Sequence, residues 1–435
     1  MVMAKQVVRK AKRPVCGGKQ LFLLLILLVA VFAISGCNSG GDGDNDTPAP
    51  PAETISWSQK ISINDVDEIQ SVVQTEAGGY VTAGSSVLAD DNRDVLVVKL
   101  DSLGAVVWSK NYGQKGSDTS SCVLEFPGTG YLIAGQTGLS DGTSDIYLLC
   151  IDSDGNVLWE KTYGGVYNDM ANSIAHTSDN GFIVAGSTVS HYIPADAATG
   201  AKSSEDWDAY YFKIDNSGNV IWKQTITDER YTGEDEYGLS ARETMDGDFI
   251  LAGNSLNSST FGDILLVRTD GNGTKKWTKT FGESYYEESV FDVVETQDYG
   301  FILTGLFNSS LGGANKGCLV LKTDSAGNQV WSKIYQAAIT AGAGNAIVES
   351  KDKSFVVTGY AFSHGNSSND IYLVKFDGAG NITWERFFGD MADEKGISVQ
   401  VTSDGGYIVA GNSTDDGLGH IRLFKTDKNG EIAAK

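Results

Sequence analysis

Residues 370–384 read DIYLVKFDGAGNITW, and residues 404–411 read DGGYIVAG. The first is an apolar run, a turn of the form Asp-x-x-Gly and a second run that reaches a Trp. In such a turn the carboxylate accepts backbone N–H bonds and Gly takes the left-handed position, so the stretch reads as a β-hairpin. The second stretch opens on an aromatic and stays apolar without alternation, which marks a strand covered on both faces.

Both stretches recur along the chain. The opening aromatic stands at Tyr80, Tyr131, Phe182, Phe249, Phe301, Phe355 and Tyr407, at spacings of 51, 51, 67, 52, 54 and 52 residues. The turn recurs seven times, from Asp101/Gly104 to Asp427/Gly430, and four residues past its Gly stands Trp108, Trp159, Trp222, Trp277, Trp331 or Trp384. A preceding strand is centred near Ser71, Ser121, Ser173, Ser240, Asp292, Ala346 and Ser398. Four strands in about 50 residues, repeated seven times, predict an all-β, seven-bladed β-propeller over residues 55–435. Its Trp side chains supply area for packing between sheets.

The seventh repeat has Ala434 at the Trp position and ends at Lys435, so its outer strand is missing. Residues 55–60, ISWSQK, match VWSK at 107–110. The N-terminal strand is therefore expected to be the outer strand of blade seven, which removes two free sheet edges. Loop lengths sort into two faces. Eight residues separate the opening strand from the aromatic in six repeats and nine in the second. Connections from middle to third strand and from outer strand to next blade vary, the longest near residues 189–207 and 225–238. Those two kinds of connection share a face, where a binding surface is expected.

The chain carries 33 Lys+Arg against 56 Asp+Glu, a net charge of −23. Six of the positive charges lie in residues 1–36, which hold no acid. Such a surface repels phosphate backbones and excludes nucleic acid as a partner. The histidines are His176, His191, His364 and His420, with no metal spacing among them and no nucleophile motif beside them. Cys122 and Cys150 fall one strand apart in blade two, too far for a disulfide, and with Cys318 read as buried thiols.

Four residues before the opening strand stand Asp67, Asp169, Glu236, Glu288 and Glu394, with Asp118 one place off and Gly342 in blade six. These six carboxylates form a candidate face for a cation or a ligand at the channel mouth, beside Tyr167, Tyr231, Tyr237, Tyr285 and Tyr286. The other reading is that each caps a loop or bonds to its neighbouring blade.

Two resemblances add to this. Residues 1–36, with an apolar core at 21–34 leading to Ile34-Ser35-Gly36-Cys37, resemble a bacterial lipoprotein signal peptide. That implies lipidation of Cys37, palmitate labelling, a tether at residues 37–54, and a cell-envelope protein anchored in the membrane. Asn38 after the Cys implies the outer membrane or cell surface in a Gram-negative host. The repeats resemble those of secreted and lipoprotein propellers in the quinoprotein-like (PQQ-like) superfamily. Propellers host many activities, so that resemblance implies little about function. Two functions stay open: a non-catalytic scaffold binding a protein, glycan or other surface ligand, with no cofactor, and a quinone (PQQ)-dependent dehydrogenase with Ca2+. The Asp-to-Gly turn is one residue shorter than the dehydrogenases' docking motif and lacks its Thr.

Overall fold

The computed structural model describes residues 56–432 apart from 65, 89–91, 114–115, 190–205, 227–234, 257–261, 283–285, 310–315, 337–341, 363–367 and 416. The lipidation and tether positions, Ala434, His191, His364, Tyr231 and Tyr285 lie outside the described residues. The described residues form 28 strands and no helix, in seven antiparallel four-stranded blades arranged as a ring. Blade one spans Val66–Tyr112, blade two Asp118–Tyr163, blade three Asp169–Ile226, blade four Asp235–Phe281, blade five Tyr286–Tyr335 and blade six Gly342–Phe388. Blade seven takes three strands from Asp393–Thr426. Its fourth is the N-terminal strand Trp57–Ile61, which runs antiparallel to Leu418–Thr426 from Trp57↔Lys425 to Ile61↔Ile421.

The local chemistry follows the repeat. In all seven Asp-x-x-Gly turns the Asp Oδ1 accepts two backbone N–H groups, as Asp377 does from Ala379 and Asn381 at 3.0 and 2.8 Å. The turn Gly sits at positive φ, 80° at Gly380, where a side chain would be strained. The second strands are buried along their length because blades pack on both faces. In blade three, Phe182–Thr188 is buried at every position.

The core is divided into clusters between neighbouring blades. At six of the seven junctions a Trp of one outer strand meets the opening aromatic of the next blade, from Trp57–Tyr80 at 5.4 Å to Trp331–Phe355 at 6.5 Å. The same Trp lies against the next turn: a Cβ on Gly104, Gly273, Gly327, Gly380 or Gly430 would strike its ring. These contacts make the Trp a dock between blades.

Backbone register corrects one alignment. Each inner strand carries a bulge at the same place, and the residues just past it are Ser71, Cys122, Ser173, Ser240, Asp292, Ala346 and Ser398. Cys122, not Ser121, is the blade-two equivalent. Blade two therefore carries no extra residue between its inner strand and Tyr131, and Asp118 falls in step with the other five acids.

Candidate functional site

The inner strands enclose a channel of about 390 Å3. The bulge turns one extra residue of each strand toward it: Gln70, Ser121, Asn172, Leu239, Phe291, Asn345 and Ile397 all line the wall. Bulges re-aim side chains in this way. Inside, Asp292 Oδ1 accepts Ser240 Oγ at 3.0 Å and Arg242 Nη2 at 3.2 Å, while Oδ2 accepts Ile347 N at 3.2 Å. Arg242 also donates to Ser173 Oγ at 3.1 Å. The channel's guanidinium and carboxylate thus tie blades three to six together. Cys122 is half-buried on this wall rather than fully buried as expected, because the bulge faces it inward. Cys150 and Cys318 are buried, and burial pushes the Cys150 thiol up to about 11.

The six periodic carboxylates are buried, at 0–8% exposure, at the loop-side start of the inner strands. Asp67 Oδ2 accepts Ile63 N and Asn64 N at 2.5 and 3.0 Å, and Oδ1 accepts Ser86 Oγ at 2.7 Å. Asp169 accepts Gly165 N at 3.0 Å and Glu394 accepts Asp390 N at 3.1 Å. The carboxylate thus holds the N–H four residues back, closing the loop that enters its own blade. Asp118 Oδ2 and Asp94 Oδ1 flank Gly113, where a Cβ would meet both, and Asp263 sits the same way at Gly282. Glu236 and Glu288 receive the chain from the preceding blade, their N–H groups bonding Trp207 O and Gly262 O at 2.8 and 3.1 Å. Burial, then the like charges of Asp169 and Asp141, raises the Asp145 carboxyl. Burial also pushes Glu394 up to about 7. Among the described residues no three His, Cys, Asp or Glu side chains are grouped to hold a metal ion. Tyr167 is exposed, whereas Tyr237 and Tyr286 pack on Trp207 and Phe307.

At the opposite face the inner strands end on a second periodic set. Glu125, Glu243, Glu295, Glu349 and Gln74 each accept a backbone N–H from the preceding blade's turn: Glu76, Ser178, Met245, Gln297 and Ser403. Burial raises the carboxyls of Glu295 and Glu349.

One constellation was invisible in the sequence. Ser62 Oγ lies 2.7 Å from His420 Nδ1, and His420 Nε2 lies 2.7 Å from Asp415 Oδ1, while Asp415 also pairs with Lys60. The order Ser–His–Asp is that of an acyl-transfer relay. Its chemistry here is that of a clasp. The backbone amides next after Ser62, those of Ile63 and Asn64, are spent on Asp67 rather than aimed at a reacting oxygen. The groups lie 358 positions apart, and only ring closure brings them together.

No family model and no curated protein matches this sequence. Solved structures do. The chain is similar to polysaccharide lyase Uly1, at TM-score 0.56 and 8% identity, over 85% of this chain and 91% of that one. It is similar to a PL25 ulvan lyase bound to -[GlcA(1-4)Rha3S]-, at TM-score 0.53 and 12% identity, over 87% and 98%. Sqt1 from Chaetomium thermophilum aligns at TM-score 0.48 and 13% identity, over 83% and 96%. At such identities the likeness is one of fold: the chain is a seven-bladed β-propeller.

Proposed function

We propose that the chain is a lipid-anchored cell-envelope protein whose propeller is a non-catalytic binding scaffold, taking a protein or glycan ligand on its variable face. The observation that carries this reading is the unequal use of the two faces. On one, all seven Asp-x-x-Gly hairpins share the same closing hydrogen bonds, and so do six of the seven hairpins between inner and middle strands, the exception being blade two, where residues 127–129 make a tighter turn. On the other, connection length varies from blade to blade. Binding surfaces are built where a rigid scaffold lets loops vary. Three of the acids nearest that face, Asp67, Asp169 and Glu394, accept loop backbone N–H groups, and contacts to a ligand fall to the connections themselves. A glycan ligand is in keeping with the sugar-bound propeller of the same fold.

A quinone-dependent dehydrogenase would need cations to meet an acidic quinone. The channel's Arg242 is already held by Asp292 and Ser173, and the surrounding periodic charges are carboxylates, so the residues present do not fit that group. The carboxylates are hard oxygen donors of the kind calcium takes, and a melt with and without calcium belongs in the test.

The test has two parts. Cys37→Ser should release the chain from the membrane fraction and abolish palmitate labelling. Trimming the blade-three connection, residues 190–205, to the length found in blade two should cut ligand recovery on glycan and protein arrays while the melting temperature holds. Turnover on quinone plus calcium, or unchanged binding by the trimmed variant, would overturn the scaffold reading.

A further inference from the structure

On the hairpin face, opposite the variable loops, a cleft of about 610 Å3 opens between blades six and seven. That volume lies in the usual range of small-ligand sites, about 300–1,000 Å3. Four lysines line it, Lys351, Lys353, Lys375 and Lys428, against two acids, Asp352 and Asp377. The cleft therefore holds two positive charges in excess within a chain of net charge −23. At physiological salt, charges more than about 8 Å away are screened. An approaching anion senses the cleft rather than the whole molecule.

The seven repeats supply an internal control. Lys375 is common property: Lys213, Lys322 and Lys425 make the same ion pair with an Asp of their own turn, at 2.7–2.9 Å. The other three lysines are peculiar to this junction. At the position of Lys351 the sister turns carry Glu76, Pro127, Ser178, Met245, Gln297 and Ser403. At that of Lys428 they carry Ser, Asn or Gly. Lys353 stands where Gly78, Gly247 and Gly405 adopt φ of 84°, 82° and 82°, and it holds φ of 63° itself. Asn180 and Tyr299 hold φ of 65° and 63° at the same position of their own turns, so the left-handed backbone is a property of the repeat and only the lysine is particular to this junction. The turn's hydrogen bond, Lys353 N to Ser350 O at 2.9 Å, is the same as in the glycine turns. The fold therefore does not require lysine there.

We infer that this cleft is a binding site for an anionic polysaccharide, one bearing carboxylate or sulfate groups that the three junction-specific lysines meet. A peptide would add as a strand or anchor in apolar pockets. The cleft walls are hairpin turns whose backbone N–H groups are used internally: Ser350 N to Ser354 O, Gly405 N to Thr402 O and Asn429 N to Asp427 Oδ1. What they offer outward is charge at fixed spacing. This site lies on the other face from the proposed ligand surface, so the two stand or fall separately.

The experiment is titration calorimetry of the full chain with a heparin hexasaccharide, with cellohexaose and poly-glutamate as separate arms. The wild type should bind the hexasaccharide, more weakly as salt rises, and should leave cellohexaose unbound. The variant Lys351→Ser, Lys353→Gly, Lys428→Ser, which restores residues that sister turns already carry, should bind at least about tenfold more weakly. Lys353→Gly alone should weaken binding while the melting temperature holds or rises, a combination that a structural role would not produce. No binding by the wild type, equal binding by the triple variant, or poly-glutamate binding as tight as the hexasaccharide would each overturn the inference.

Discussion

The junction between blades five and six and the junction between blades seven and one are built from the same parts under different constraints. At the first, Trp331 docks on Gly380 and donates Nε1–H to Gly378 O at 3.3 Å, and its strand is tied to blade five by a four-residue turn. At the second, Trp57 docks on Gly104 and donates to Ser102 O at 3.1 Å, but its strand arrives from the other end of the chain. The closure carries more in return. Trp57 is 7% exposed, the only one of the seven docking Trp side chains to be buried. The Lys60–Asp415–His420–Ser62 clasp pins that strand to the rest of blade seven. One parallel bridge, Val66↔Gly419, even joins blades seven and one into a single sheet. A strand held without a covalent turn must gain through contacts what the hairpin supplies elsewhere by short loop closure.

The largest expected effect tests that contrast directly. Trp57→Ala should cost about 3–5 kcal/mol, as for a buried Trp, and Trp331→Ala, half-buried, distinctly less. Chemical denaturation of the two variants makes the comparison. Equal losses would mean that closure is no more dependent on its Trp than any other junction.

A middle-sized effect concerns one position with two environments. Glu394 entering blade seven is buried with its carboxyl pushed up to about 7, first by burial. A folded pKa above the unfolded value means that the folded state holds the proton more tightly. That stability is present below about pH 4.5 and is lost as pH rises through 7. Glu394→Gln should therefore be more stable than wild type at pH 8, by about 1–3 kcal/mol, with the gap closed at pH 4. At the closure the equivalent Asp67 accepts three donors. Asp67→Asn turns one acceptor into a donor and should destabilise at pH 8. Melts across pH decide between opposite signs.

The smallest effect is on the clasp. Asp415→Ala removes the contacts to Lys60 and His420, whose partners are partly exposed. The loss should be smaller than either effect above and should shrink in high salt. A larger, salt-insensitive loss would make the clasp, rather than Trp57, the main fastening of the ring.

The periodic marks that the sequence repeats are those whose physics is local. An Asp two and four residues before the N–H groups it accepts, a Gly at positive φ, an aromatic opening a two-sided strand: each works within one hairpin, so seven copies suffice to show blade number, strand order and even the strand that closes the ring. Burial of the six carboxylates was not legible, because whether Asp67 or Glu394 faces a channel or a neighbouring blade depends on the bulge that turns the strand. The same bulge shifts equivalence from Ser121 to Cys122, and no count of residues reveals which of two neighbours is the extra one. Ser62, Asp415 and His420 carry no shared spacing, and Lys351, Lys353 and Lys428 sit in two separate repeats. What the chain by itself determined is therefore the repeating unit, through interactions a few residues long. What only the tertiary structure decided is every site composed across a seam between blades, because the ring sets which residues of distant repeats share a wall.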